Sequence, residues 1–160
     1  MRTSGWIVKA AAGVVAVGAA DLASKLLAER HLADGMALAG GARLQLSHNT
    51  GMAFGTLAGA PQALVVSVVI ACVVALAWAI QRGVVAGGSL AIALVLGGAL
   101  ANLVDRLEGG GVTDFIDLGA WPSFNVADAA LTTGIAVVLW RSIGTPAAPA
   151  HAASTTEAGS

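Results

Sequence analysis

The sequence predicts an all-α integral membrane protein of four transmembrane helices, with a small extramembrane sheet in the connection between the first two. Three observations carry that prediction. Of the 160 residues, 57% are hydrophobic and only 11% charged, with a mean hydropathy of +0.82; in ordinary soluble domains about a quarter are charged. Leu44 to Gln81 and Gly83 to Val104 contain no charged side chain, and each holds an apolar stretch of the roughly 20 residues that cross a bilayer. The apolar residues are mostly Ala, Val, Leu and Gly, with no Tyr, which suits helices packed closely through small side chains. The net charge of -1 leaves no basic footprint, so no nucleic-acid partner is expected. The single Cys72 cannot form an intrachain disulfide, and packing explains it within its apolar run.

The first helix is expected over about residues 6–28. Only eleven uncharged residues separate Lys9 from Asp21, which at ~1.5 Å per residue is about 16 Å of a ~30 Å hydrocarbon core. A spanning helix therefore takes Asp21 into or very near the membrane, where an unpaired charge is costly and points to function. Asp21 and Lys25 stand i, i+4 on one helix face and can pair. A cleaved signal peptide is the competing reading, from Arg2 and Lys9 ahead of "AVGAA"; against it, apolar character resumes beyond Asp21. In the following connection, Arg43 to Ser47 alternates apolar and polar like a short strand. The second and third helices are expected over 62–80 and 84–104, joined by a short loop around Arg82. The fourth is expected over 126–143, where only twelve uncharged residues lie between Asp128 and Arg141, so Asp128 also reaches the membrane. Residues 1–143 thus read as a single membrane-embedded domain, and 144–160, rich in Pro, Ala, Ser and Thr, as a disordered cytoplasmic tail.

Four helices place Arg2, Lys9, Arg82 and Arg141 on one side and Arg30, Arg43 and Arg106 on the other. That bias predicts both termini in the cytoplasm. Asp21, Glu29, Asp34, Asp105, Glu108, Asp114, Asp117 and Asp128 then lie on or near the outer side, where any chemistry is expected.

Asn102, Asp105 and Arg106 fall within one turn at the end of the third helix and form a polar cap there. Asn125 is a good N-cap for the fourth helix, with Asp128 at N3, a capping-box arrangement. Spacing leaves two readings open. In one, these residues only terminate helices, and Asp114 is a solvated loop residue. In the other, the Gly-rich turn "EGGGV" and the thirteen residues between Asp114 and Asp128 let the two carboxylates meet and share a proton. One would then be the general base for water and the other the acid for a carbonyl. The helix N-terminus favours the anion at Asp128, and a loop position beside Phe115 and Ile116 favours the proton on Asp114.

Other chemistries find no support. His31, His48 and His151 are far apart and match no HExxH or Cys/His pattern, so no metal site and no cofactor are expected. Ser47, Ser67, Ser89 and Ser123 lack a nucleophile-elbow context or a partner Lys. A small transporter or ion-pathway protein relaying protons through Asp21 and Asp128 remains the non-catalytic alternative.

The motifs "DLASK" from Asp21, "NTGMAFG" from Asn49, "GGALANLVDRL" from Gly97, "GVTDFID" from Gly111 and "WPSFNVADAALTTG" from Trp121 occur in order over about residues 20–140. Together they resemble the lipoprotein signal peptidase, or signal peptidase II, family. The resemblance implies a four-helix aspartyl protease of the bacterial inner membrane, and a monomer is expected. Such enzymes act among membrane lipids on prolipoproteins, cutting before a cysteine that carries a diacylglyceryl group. It implies catalytic roles for Asp114 and Asp128 and supporting roles for Asp21, Lys25, Asn49, Gly51, Asn102, Arg106 and Asn125. The connection between the first two helices would be a β-cradle and mobile lid around the substrate. A relative that binds lipoproteins or an inhibitor without turnover is the other reading of the resemblance. Ala101 and Ser24 depart from the family pattern, which usually has Gly and Thr there; both changes are small-for-small and leave the acid pair intact.

Overall fold

The computed structural model describes residues 4–50, 62–81 and 88–143. In chain order, helix α1 (Ser4–His31) leads into strand β1 (Met36–Ala37), a 3-10 turn (Ala39–Gly41) and strand β2 (Arg43–Asn49). Helices α2 (Gln62–Gln81) and α3 (Gly88–Gly109) follow, then strand β3 (Val112–Asp117) and helix α4 (Val126–Ile143). Among the described residues the fold is mostly helical, with one three-stranded antiparallel sheet in the order β1-β2-β3.

Both α1 and α3 are long and apolar enough to cross a membrane. Large apolar side chains point outward on every helix: Val8, Val15 and Leu26 on α1, Val74 on α2, Leu90 on α3 and Trp140 on α4 are exposed. A water-soluble bundle would turn such residues inward. The helix contacts themselves are made through glycine, as membrane packing favours. Consecutive residues of α3 face different neighbours. A methyl added at Gly97 would meet Val17 of α1 at 2.7 Å, and one at Gly98 would run into the backbone of Ala127 on α4. Gly13 of α1 lies against Ala93, and Gly134 of α4 against Val95 and Leu94. Helix α3 is thus clasped between α1 and α4.

Two helices run further than the apolar pattern indicates. Helix α1 continues to His31 because Ala28 and Leu32 are buried against Phe115, and Leu32 N–H still donates to the Ala28 carbonyl at 2.8 Å. They extend the buried stripe that begins at Asp21 and Lys25. Helix α3 continues through Asp105 and Arg106 to Gly109, because Arg106 is buried rather than solvated. It stops at Gly110, whose positive φ of 74° is the left-handed conformation suited to a helix end. The expected start of this helix at 84–87, residues 51–61 of the connection in which a lid is expected, and the tail 144–160 lie outside the described residues.

The sheet differs from expectation in one important respect. Its third strand comes from the connection between α3 and α4, so the sheet is not confined to the segment after α1. Asp114 accordingly sits on strand β3, not on a loop. Val, Thr, Phe and Ile favour extended backbone, but the pairing that fixes this one joins distant parts of the chain, Ser47 opposite Asp114 and Asn49 opposite Val112. The sheet rests on the C-terminal end of α1, where Leu44, Leu46 and Ile116 pack against the cluster of Ala28, Leu32 and Phe115.

Candidate active site

The site assembles where β3, the start of α4 and the C-terminal parts of α1 and α3 meet. Strand β2 is irregular between Leu44 and Ser47, where its register against β3 shifts by one residue. A continuous register from Leu44 opposite Ile116 would place Leu46 opposite Asp114 and carry His48 onto its face. The shift instead places Ser47 opposite Asp114 and puts Asn49 on that face, diagonal to it. Asn49 Nδ2 donates to Asp114 Oδ2 at 3.1 Å. On the other edge of β3, Phe124 exchanges backbone hydrogen bonds with Ile116 at 2.9 and 3.0 Å. That short bridge delivers Asn125 to Asp114.

Asn125 is completely buried and joins both carboxylates. Its Nδ2 donates to Asp114 Oδ1 at 2.7 Å. Its Oδ1 accepts from the Asp128 N–H at 2.9 Å, and Asp128 Oδ2 accepts in return from the Asn125 N–H at 3.3 Å. This is the reciprocal capping box expected for α4. The amide of the intervening Ala127 donates to Asp21 Oδ1 at 2.8 Å, so a carboxylate from α1 takes a second free N–H of the same helix start.

Helix α3 supplies the remaining walls. Asn102 Nδ2 donates to Asp128 Oδ1 at 2.7 Å, while its Oδ1 accepts from Asn125 Nδ2 at 3.2 Å and Lys25 Nζ at 3.5 Å. Buried Arg106 donates to the Asn102 carbonyl at 3.0 Å. The Lys25 ammonium lies 2.5 Å from Asp21 Oδ2 and 2.6 Å from Asp105 Oδ2. Every oxygen of Asp114 and Asp128 therefore receives a hydrogen bond from an amide.

Comparison with known proteins decides the family. The family model described as signal peptidase (SPase) II matches residues 13–144. The chain belongs to the signal peptidase II family. It is 40% identical over 132 residues to the lipoprotein signal peptidase of Sulfurihydrogenibium sp., covering 74% of this chain and 81% of that one. It is 35% identical over 150 residues to that of Aquifex aeolicus, covering 87% of each. Among solved structures, a bacterial membrane enzyme superposes with a TM-score of 0.74 at 25% identity, covering 86% of this chain and 89% of that one. Membership of the signal peptidase II family makes the chain a peptidase and a membrane enzyme.

Of the positions the sequence nominates in this peptidase, Asp21, Lys25, Asn49, Asn102, Arg106, Asp114, Asn125 and Asp128 converge on one cluster. Gly51 lies outside the described residues. Asp105 belongs to the cluster through Lys25, yet the sequence identifies it only as part of a cap. Its spacing from Asn102 places it on the right face of α3, but nothing local announces a partner on α1. Burial pushes the Asp114 carboxyl up from an ordinary 3.8 to about 6; the Asn49 hydrogen bond opposes the rise, the Asp128 charge adds to it, and Asn125 and the Lys25 cation oppose it. A carboxyl in that state can donate as an acid near neutrality.

Proposed function

We propose that the chain is an intramembrane aspartyl endopeptidase that removes the signal peptide from bacterial prolipoproteins, cutting on the N-terminal side of the diacylglyceryl-modified cysteine. The observation that carries this reading is Asn125. A single buried amide is one hydrogen bond from the Asp114 carboxylate and one from the backbone of Asp128, which holds two acids from separate elements over a common space. In the reaction, Asp128 takes a proton from water as the water oxygen attacks the scissile carbonyl carbon. Asp114 gives its proton to the carbonyl oxygen. The tetrahedral intermediate then collapses: the C–N bond breaks, Asp128 passes its proton to the leaving amine, and Asp114 recovers one from the hydroxyl. The polarisation follows from environment. Asp128 lies in the first turn of α4, where the helix N-terminus favours its anion, and buried Asp114 favours its protonated form.

The geometry also supports four membrane-spanning helices. Helices α2 and α4, of 20 and 18 residues, are about 30 and 27 Å long at ~1.5 Å per residue, close to the ~30 Å hydrocarbon core. Asp128, in the first turn of α4, then lies at the outer boundary. There a lipid-tethered peptide meets water in a site of low dielectric, where preorganised donors act most strongly.

Cleavage of a purified lipidated prolipoprotein by the purified chain tests the reading. Wild type is expected to cut, and Asp114→Asn and Asp128→Asn are each expected to lose roughly 10²–10⁴ in rate, the usual worth of a positioned acid or base. A wild type that never cuts, or an Asn variant that cuts at a comparable rate, would sink it.

A further inference from the structure

Asp105 sits outside the acid pair, yet its contacts lead back to it. The Lys25 ammonium is almost wholly buried and has three donors. It donates to Asp21 Oδ2 and Asn102 Oδ1 and forms an ion pair with Asp105 Oδ2 at 2.6 Å. The Asn102 contact fixes more than the lysine. Asn102 Oδ1 faces two donors, Lys25 Nζ and Asn125 Nδ2, so its Nδ2 is left to face Asp128. Turned over, the Asn102 side chain would oppose N–H to N–H on one side and oxygen to oxygen on the other. Asn125 Nδ2 and the ammonium together therefore select which way this amide points, and Asp105, one turn along α3 from Asn102, ties the ammonium there.

Charge gives the same residue a second role. Among the described residues, the charged side chains around the acid pair are Asp21 and Lys25 from α1 and Asp105 and Arg106 from α3; β2 contributes the neutral Asn49, and Asn125 is neutral too. The formal charges of the four surrounding groups sum to zero. The state of Asp114 on β3 and Asp128 on α4 then depends on the proton they share. Without the Asp105 charge, a net positive charge would stand beside the pair and favour its fully ionised form.

We propose that Asp105 is a positioning residue: it holds the Lys25 ammonium on the seam between α1 and α3, orients the Asn102 amide toward Asp128 and balances the charge around the acid pair. This inference rests on the peptidase reading above, so its test uses the same cleavage reaction, followed with the full chain across pH.

Asp105→Asn is expected to lower kcat by about tenfold or more with KM within about twofold, the pattern of an interaction expressed in the transition state. It should also move the alkaline limb of the rate profile down by roughly half a pH unit to one unit, as an unopposed nearby charge would. Asp105→Glu, which keeps the charge, should keep the limb in place. The double variant Lys25→Gln/Asp105→Asn should bring the limb back to its wild-type position while remaining slow, a recovery that a merely structural role would not produce. Wild-type kcat and profile in Asp105→Asn overturn the proposal, as does a double variant whose limb stays displaced. If Asp105→Asn does not accumulate as folded protein, the Glu and double variants decide, and a displaced limb in either overturns it. A wild type without activity brings down the peptidase reading and this one together. An active wild type with a dead Asp114→Asn and an unaffected Asp105→Asn removes this inference alone.

Discussion

At the scale of single residues, Asp114 shows how burial and hydrogen bonding are set against each other. Its side chain is 1% exposed, and burial raises its pKa from 3.8 to about 6 even though two amides favour the anion. Between those values the folded chain binds a proton that the unfolded chain releases. The contribution of this group to stability is therefore greatest below the lower value, declines as pH rises toward about 6, and is level above that. The full change amounts to up to about 3 kcal/mol. Asp114→Asn removes the titration, so its melting temperature relative to wild type should rise by several degrees between about pH 4 and pH 7 and then stay level. Thermal unfolding of both proteins in the same detergent checks this; a difference that does not vary with pH contradicts it. The Asn125–Asp128 capping box was legible from three-residue spacing alone. The Asn49–Asp114 bond was not, because it depends on a register shift in β2 that no local pattern announces.

At the scale of elements, the helices were legible and the third strand was not, for a common reason. Helix spans follow from uninterrupted apolar length, a local property. Strand β3 is defined by partners on both edges, β2 and Phe124, both remote from what its own six residues display. Helix contacts are equally non-local, and here they bear directly on the site. Gly98 stands one turn before Asn102 on α3, and a Cβ there would collide with the Ala127 carbonyl and lie 3.1 Å from the Leu131 backbone nitrogen. Backbone cannot give way as a flexible side chain can. Gly98→Val should therefore push α4 away from α3, carry Asp128 off Asn102 and abolish most cleavage, with a loss of roughly 1–3 kcal/mol from overpacking. Gly109→Ala serves as the control, because a Cβ at Gly109 meets nothing within 4 Å among the described residues; its stability and activity should equal or slightly exceed wild type. Equal behaviour of the two variants in the cleavage and melting measurements would show that the α3–α4 contact does not position the acid.

At the scale of the whole molecule, polar burial and apolar exposure are inverted relative to a soluble protein. Asp21, Lys25, Arg106, Asp114 and Asn125 are inside, while Val15, Val74 and Trp140 face outward. Lipid around the helices resolves the second half of that inversion, and mutual pairing resolves the first. The polar cluster lies toward one end of the bundle, with the sheet, whereas Trp6 and Trp140 are exposed near the other end, as suits residues at a membrane boundary. From the charge count we propose that the Trp6 and Trp140 end faces the cytoplasm and the sheet the outer side. A cysteine scan in a Cys72→Ser background tests that assignment in intact cells. Leu118→Cys, on the exposed turn after β3, should react with a membrane-impermeant maleimide added outside. Arg141→Cys, in the last turn of α4, should react only after the membrane is opened. The reverse pattern would invert the protein, and labelling of both positions from outside would mean that α4 does not span. The reversed pattern would move the acid pair away from the face at which we propose that a prolipoprotein presents its cleavage site, and labelling of both positions from outside would leave the pair outside but remove the membrane-spanning helix whose first turn carries Asp128.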